Sequence, residues 1–203
     1  MRLGLFGGTF DPVHMGHLIL AESCREQCGL EEVWFLPTST PPHKQSRSLT
    51  SAEARVDMLQ LVAGTNPTFS VCCYETDRGG VNYTADTLAH FRQQDPDGEL
   101  FFMLGADMLN DLPRWYQPER ILELATPMVV DRAGTEPPDI AALEPIASAE
   151  RMQQIRANRV EMPRIGISSS DIRSRVAQGK GIRYLVPRAV EKYIETHGLY
   201  AAE

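Results

Sequence analysis

The strongest constraint on how this chain folds is an alternation that runs from its start through residue 132. Short apolar runs at 2–6 (RLGLF), 32–37 (EVWFLP), 69–75 (FSVCCYE), 100–105 (LFFMLG) and 126–132 (TPMVVDR) read as buried strands. Between them, 17–29, 51–64, 84–94 and 118–125 carry apolar residues at helical spacing, with Ser51 as an N-cap. The wholly apolar run at 100–105 suits the centre of a parallel sheet, where both faces are covered. This order predicts an α/β fold: a doubly wound, Rossmann-like parallel sheet with right-handed crossovers and helices on both faces.

The rest of the chain fits around that frame. Residues 38–50 and 76–82 read as loops, and the proline-, alanine- and acid-rich 133–150 as a surface excursion. Residues 159–168 would return as a last strand. Stretches 168–179 and 187–198 then form a small C-terminal helical closing segment, each helix ended by glycine. The 203 residues suit a single domain, 1–203. No apolar run is long enough for a membrane span and no signal peptide is read at the N-terminus, so a cytoplasmic protein is expected. The net charge of −7 argues against a non-specific nucleic-acid binder but leaves room for a local basic pocket. Cys24 and Cys28 suit one helix face, and Cys72 and Cys73 opposite sides of a strand. No zinc-ligand spacing accompanies them, and no metal site on the protein is read.

The segment GGTFDPVHMGH, residues 7–17, follows the first strand. In a doubly wound sheet that end of the strand faces ligand. Gly7 and Gly8 let the backbone turn and approach closely, and their N–H groups with the next helix N-terminus suit a phosphate. His14 and His17, three apart, share a face if the helix begins near 14, and both can donate to phosphate oxygens. The same residues also suit a plain turn and cap. Neither G-x-x-x-x-G-K-[ST] nor G-x-G-x-x-G is present.

GTFDPVHMGH (8–17) resembles the H-x-G-H signature of the nucleotidyltransferase superfamily, and ISSSDIRSRV (167–176) resembles its I-S-S-T-x-I-R element. TSTPPHKQ (38–45), NYTADTLAHF (82–91), GADMLNDLPRWYQPERIL (105–122) and LVPRAVEKYIETHGLY (185–200) are similar to the bacterial nicotinate-nucleotide adenylyltransferase family. The resemblance implies adenylyl transfer from ATP to nicotinate mononucleotide, with Mg²⁺ accompanying ATP. It implies ATP contacts at Gly7, Gly8, Thr9, Phe10, His14, His17, Gly105, Asp107, Ile167, Ser168, Ser169 and Arg173. His14, His17, Lys44 and Arg173 would be catalytic, with His17 nearest the α-phosphate and Arg173 on the β- and γ-phosphates. Asp107 would accept from a ribose. Gly8, Thr9, Phe10, His43, Lys44, Thr84, Ala85, Trp115 and Tyr116 would meet the mononucleotide, Trp115 by its flat face and the segments near Ala85 and Tyr116 by backbone N–H groups.

Several assignments stay open. Ser168 and Ser169 could cap the helix they open, and Asp86 and Thr87 theirs. Arg55 is either a ligand contact or half of a surface ion pair. His90 and His197 are read as ordinary helix-surface residues. A phosphopantetheine adenylyltransferase, a nucleotide-binding regulator without turnover and a tRNA-recognising relative are the competing readings. A homo-oligomer is also open.

Overall fold

The computed structural model describes residues 1–39, 49–132 and 139–202. Its strands are β1 (Arg2–Gly8), β2 (Glu32–Pro37), β3 (Phe69–Val71), β4 (Glu99–Leu104), β5 (Thr126–Arg132) and β6 (Arg159–Met162). They form one sheet in the order β3-β2-β1-β4-β5-β6, every neighbouring pair parallel. From β1 the chain adds strands first on one side and later on the other. The carboxyl ends of β1 and β4 therefore flank the crevice where such sheets take ligands.

The helices are α1 (Met15–Gln27), α2 (Ala52–Ala63), α3 (Tyr74–Arg78), α4 (Thr84–Gln94), α5 (Ala106–Asp111), α6 (Pro118–Leu124), α7 (Ala149–Ala157), α8 (Ser169–Ala177) and α9 (Arg188–Thr196). They divide between the faces of the sheet because strand side chains alternate. Phe6, Phe35, Phe101, Met103, Met128 and Val130 point to one side, against α1, α2, α8 and α9. Leu3, Leu5, Leu100, Phe102, Leu104 and Val129 point to the other, against α4, α5, α6 and α7. Each face thus has its own apolar core. Cys24 and Cys28 share the buried side of α1, and burial pushes the Cys24 thiol up to about 12.

Several readings of the sequence are corrected. The run 69–75 is a strand only over Phe69–Val71, and the expected loop at 76–82 begins as helix α3. The Cys73 carbonyl is taken by Asp77 N–H and the Thr76 hydroxyl, which turns the chain into a helix. Cys72 and Cys73 therefore do not sit on opposite faces of a strand. The first helix starts at Met15 rather than residue 17, because His14 serves as its N-cap. The excursion 133–150 contains a 3₁₀ turn at Ile140–Leu143 and meets α7, which Ser148 caps by accepting from Arg151 N–H. β6 ends at Met162, well short of 168. The closing helices end as expected, with Gly179 and Gly198 at positive φ just beyond them.

Candidate active site

A cavity of about 390 Å³ opens beyond the carboxyl end of β1. It is lined by Thr9, Phe10, Asp11, His14, Gly16 and His17 from the first motif, and by Ile165, Ile167, Ser168, Ser169, Ser170 and Arg173 from the last. Leu20, Leu49 and Met162 complete the wall. Two segments some 150 residues apart in sequence thus meet around one space, as the resemblance implies.

The sequence between Gly8 and His17 folds this way for packing reasons. Phe10 has φ of 48°, a left-handed conformation that a bulky residue adopts only when held there. Its ring is clasped edge-on by Phe6 and His17, at centroid distances of 5.2 and 5.1 Å. A Cβ on Gly8 would come within 2.8 Å of the far end of that ring. Gly8 is therefore the space Phe10 fills. Gly16 has a parallel role: a Cβ there would stand 3.1 Å from the His14 ring.

The two imidazoles stack, with centroids 3.6 Å apart and planes at 20°. His17 Nδ1 accepts the His14 backbone N–H at 3.2 Å. In a neutral His17 ring that role puts the proton on Nε2. His14 is 6% exposed, and burial pulls its pKa down from 6.5 to about 4, so it is neutral at pH 7. His14 Nδ1 is buried with no hydrogen-bond partner among the described residues.

Across the cavity, Ser168 caps α8 by accepting from Asp171 N–H and donates to Asp171 Oδ2 at 2.8 Å. Ser169 does not cap: its hydroxyl donates to the Pro12 carbonyl at 2.9 Å and ties the last motif to the first. Arg173 Nη1 donates to the Asp11 carbonyl at 2.5 Å, and Nη2 to Ser170 Oγ at 3.3 Å.

Arg55 is neither a ligand contact nor half of a surface ion pair. Only 1% exposed, it donates to the main-chain carbonyls of Thr9, Thr38, Ser39 and Thr50. It braces the turn from behind. Asp86 and Thr87 do not cap α4 either. The N-cap is Tyr83, without a side-chain cap bond, and the buried Thr87 hydroxyl donates to the buried Glu75 carboxyl at 2.8 Å.

The remaining predicted residues lie outside the cavity. Gly7 and Gly8 end β1, and Gly105 is the N-cap of α5 at the end of neighbouring β4. Thr84 and Ala85 open α4, with Ala85 wholly buried. Trp115 follows a 3₁₀ turn and packs partly on the second core. Tyr116 is exposed, its ring 4.7 Å from that of Tyr83. His43 and Lys44 lie outside the described residues, as does the side chain of Asp107. Asp11 and Ser170 also line the cavity and were not singled out in the sequence.

Fold and cavity together define a class, a parallel-sheet nucleotidyltransferase with paired histidines opposite an arginine-bearing helix. The cytidylyltransferase-like family model matches residues 5–175. A protein of Thermomicrobium roseum named as a nicotinate-nucleotide adenylyltransferase is 47% identical over 98% of this chain and 91% of its own. One of Bacillus mycoides with the same name is 41% identical over 98% of both chains. A Plasmodium falciparum nicotinic acid mononucleotide adenylyltransferase complexed with NaAD shares the fold, with TM-score 0.72 at 18% identity over 98% of this chain and 97% of that one. The chain belongs to the nicotinate-nucleotide adenylyltransferase branch of the cytidylyltransferase-like family.

Proposed function

We propose that this chain transfers the adenylyl group of ATP to nicotinate mononucleotide, giving deamido-NAD and pyrophosphate in NAD biosynthesis. The observation that carries this reading is the one cavity that unites His14 and His17 with Ser168, Ser169 and Arg173. Similarity over nearly the whole chain to proteins named for this activity supports the choice of acceptor.

A phosphate oxygen of the mononucleotide bonds to the α-phosphorus of ATP, and the bond from that phosphorus to the bridging oxygen breaks. Pyrophosphate leaves with the electron pair. The nucleophile is already an anion at neutral pH, so no general base is needed. What the protein supplies is alignment of two polyanions and stabilisation of developing charge. His17 donates from Nε2 to an α-phosphate oxygen, and His14, stacked beside it in the cavity wall, also meets the phosphates. Arg173 holds the β- and γ-phosphates, aided by the field of the α8 N-terminus. Gly7, Gly8, Thr9 and Phe10 present backbone to the nucleotides, Gly105 and Asp107 take the ribose, and Lys44 with His43 approaches the reacting phosphates.

Nicotinate is received at the start of α4 and beside Trp115. The first N–H groups of α4, at Thr84 and Ala85, have no side-chain cap, which suits a carboxylate. The amide analogue would place an NH₂ against those donors.

Among the described residues no group of three or more His, Cys, Asp or Glu is placed to hold a metal ion. Mg²⁺ in this reading arrives as Mg-ATP, held by phosphate oxygens and water. No described helix is long and apolar enough to cross a membrane. We assign the protein to the cytoplasm, acting on small molecules rather than nucleic acid.

The test is pyrophosphate release from Mg-ATP with nicotinate mononucleotide, nicotinamide mononucleotide or phosphopantetheine as acceptor. Fast release with the first and slow release with the second is expected. Comparable rates with both mononucleotides would keep the reaction and overturn the carboxylate-selective pocket. Release with phosphopantetheine alone would overturn the acceptor.

A further inference from the structure

Asp11 carries a set of contacts that the chemistry of transfer does not use. Its carboxylate is almost wholly buried, at 2% exposure, in the wall of the cavity. Oδ1 accepts the hydroxyl of Tyr200 at 2.6 Å, a contact spanning 189 positions of the chain. Oδ2 accepts the Thr50 N–H at 3.4 Å and lies 4.0 Å from Arg173 Nη1.

The last distance is the informative one. Arg173 is fastened through the Asp11 main-chain carbonyl, at 2.5 Å, while standing off the carboxylate of the same residue. At 4.0 Å the two charges attract but make no hydrogen bond. A guanidinium beside a carboxylate with both oxygens available closes into a two-pronged pair. Here Oδ1 is held by the short Tyr200 bond and Oδ2, the oxygen facing Arg173, only by the longer one from the Thr50 N–H, so Tyr200 is the firmer of the two anchors that keep the carboxylate from turning onto the guanidinium. Burial and the adjacent Asp11 both push the Tyr200 phenol well above its ordinary range, so it remains a donor. The Arg173 side chain keeps 27% exposure.

Resting on the assignment of Arg173 to the triphosphate, we infer that Tyr200 is a positioning residue: its bond to Asp11 Oδ1 stops the carboxylate from capturing Arg173 and leaves the guanidinium available to the polyphosphate. Tyr200 touches no substrate and acts through Asp11. Arg55 supports the same arrangement, since it holds the carbonyl of Thr50, whose N–H the carboxylate accepts, and that of Thr9.

Tyr200→Phe removes only the hydroxyl. Its KM for ATP is expected to rise about tenfold, the effect of losing one hydrogen bond to a charged group. The kcat and the KM for the mononucleotide stay within about twofold, since neither depends on that bond. Asp11→Asn added to Tyr200→Phe removes the capturing charge, and the ATP KM falls back toward wild type. Calorimetry on Tyr200→Phe alone gives a second readout: affinity for inorganic tripolyphosphate drops in step with the ATP KM, and affinity for adenosine does not. An unchanged ATP KM overturns the inference. So does an equal loss for tripolyphosphate and adenosine, or a folded double variant without recovery; Tyr200 would then only tie down the end of the chain. Arg173→Ala separates the two levels. If it leaves the ATP KM unchanged, the assignment of Arg173 fails. If it raises that KM and Tyr200→Phe does not, only the inference about Tyr200 fails.

Discussion

Around His14 and His17, side chains and backbone are tied together across the whole chain. Arg55 and Ser169 close on main-chain carbonyls, Arg173 on another, and Asp11 on Tyr200 and Thr50. Around Tyr83, Thr84, Trp115 and Tyr116 the construction is looser. Tyr83 and Tyr116 are exposed, their rings meet only at a tilt, and no side chain caps α4. On the proposed function, the first region lies where charge develops and where reorganisation would raise the barrier. On the same proposal, the second is where a flat, polar acceptor enters and leaves. Variants in the first should therefore change kcat, stability or the KM for ATP, and variants in the second should change only the KM of the acceptor.

The sharpest way to break that contrast is His17→Ala. It is expected to fold normally and to lose about 10²–10³ in kcat, the range for removing one transition-state donor. Steady-state kinetics with a thermal melt checks both halves, and near-wild-type kcat removes His17 from its role.

The next effect is on stability against pH. His14 is held neutral, with its pKa lowered from 6.5 to about 4 by burial. Its contribution is present above pH 6.5 and is lost as pH falls toward 4, because only the unfolded chain takes up the proton in that window. The loss amounts to about 3 kcal/mol. Urea unfolding of wild type and His14→Gln at several pH values should show a shallower slope for the variant, and equal slopes would count against a buried neutral His14.

A smaller loss is expected from Gly8→Ala, whose new methyl would press on the enclosed Phe10 ring. Overpacking of this kind costs about 2 kcal/mol, and calorimetry would read it as a lowered Tm. An unchanged Tm would mean the first region is as yielding as the second. The smallest effect is that of Trp115→Ala, which should raise the KM for the mononucleotide about tenfold, as for one lost aromatic contact. The KM for ATP should move little. Equal changes in both would make Trp115 part of the core and remove the distinction between the regions.

The alternating runs made the sheet legible, and the two motifs at 8–17 and 167–176 made the cavity legible, because each carries its residues in one short stretch. What escaped was held by distant partners. Nothing in the spacing around Arg55 says that a charged residue on an amphipathic helix will be buried among carbonyls. Asp11 and Tyr200 meet only because α9 returns the chain to α2 and the first strand's turn. The helix α3 straddles the end of a run that scores as strand and the start of the expected loop, since β3 is a short edge strand and the chain leaves it early. α7 was masked by the proline- and acid-rich residues before it, although Ser148 marks its start.

The two faces of the sheet differ in one more respect. The core under α4, α5, α6 and α7 is closed mainly by helices that follow one another along the chain, whereas the core beneath the cavity needs α1 and α2 to be joined by α8 and α9. Bringing such distant segments together is the slow part of a search, because loop closure must precede the contacts that reward it. Trp34 and Trp115 both pack on the first-mentioned core. Refolding should therefore restore tryptophan fluorescence before it restores turnover, and the catalytic cavity would be the last part of the molecule to come into being.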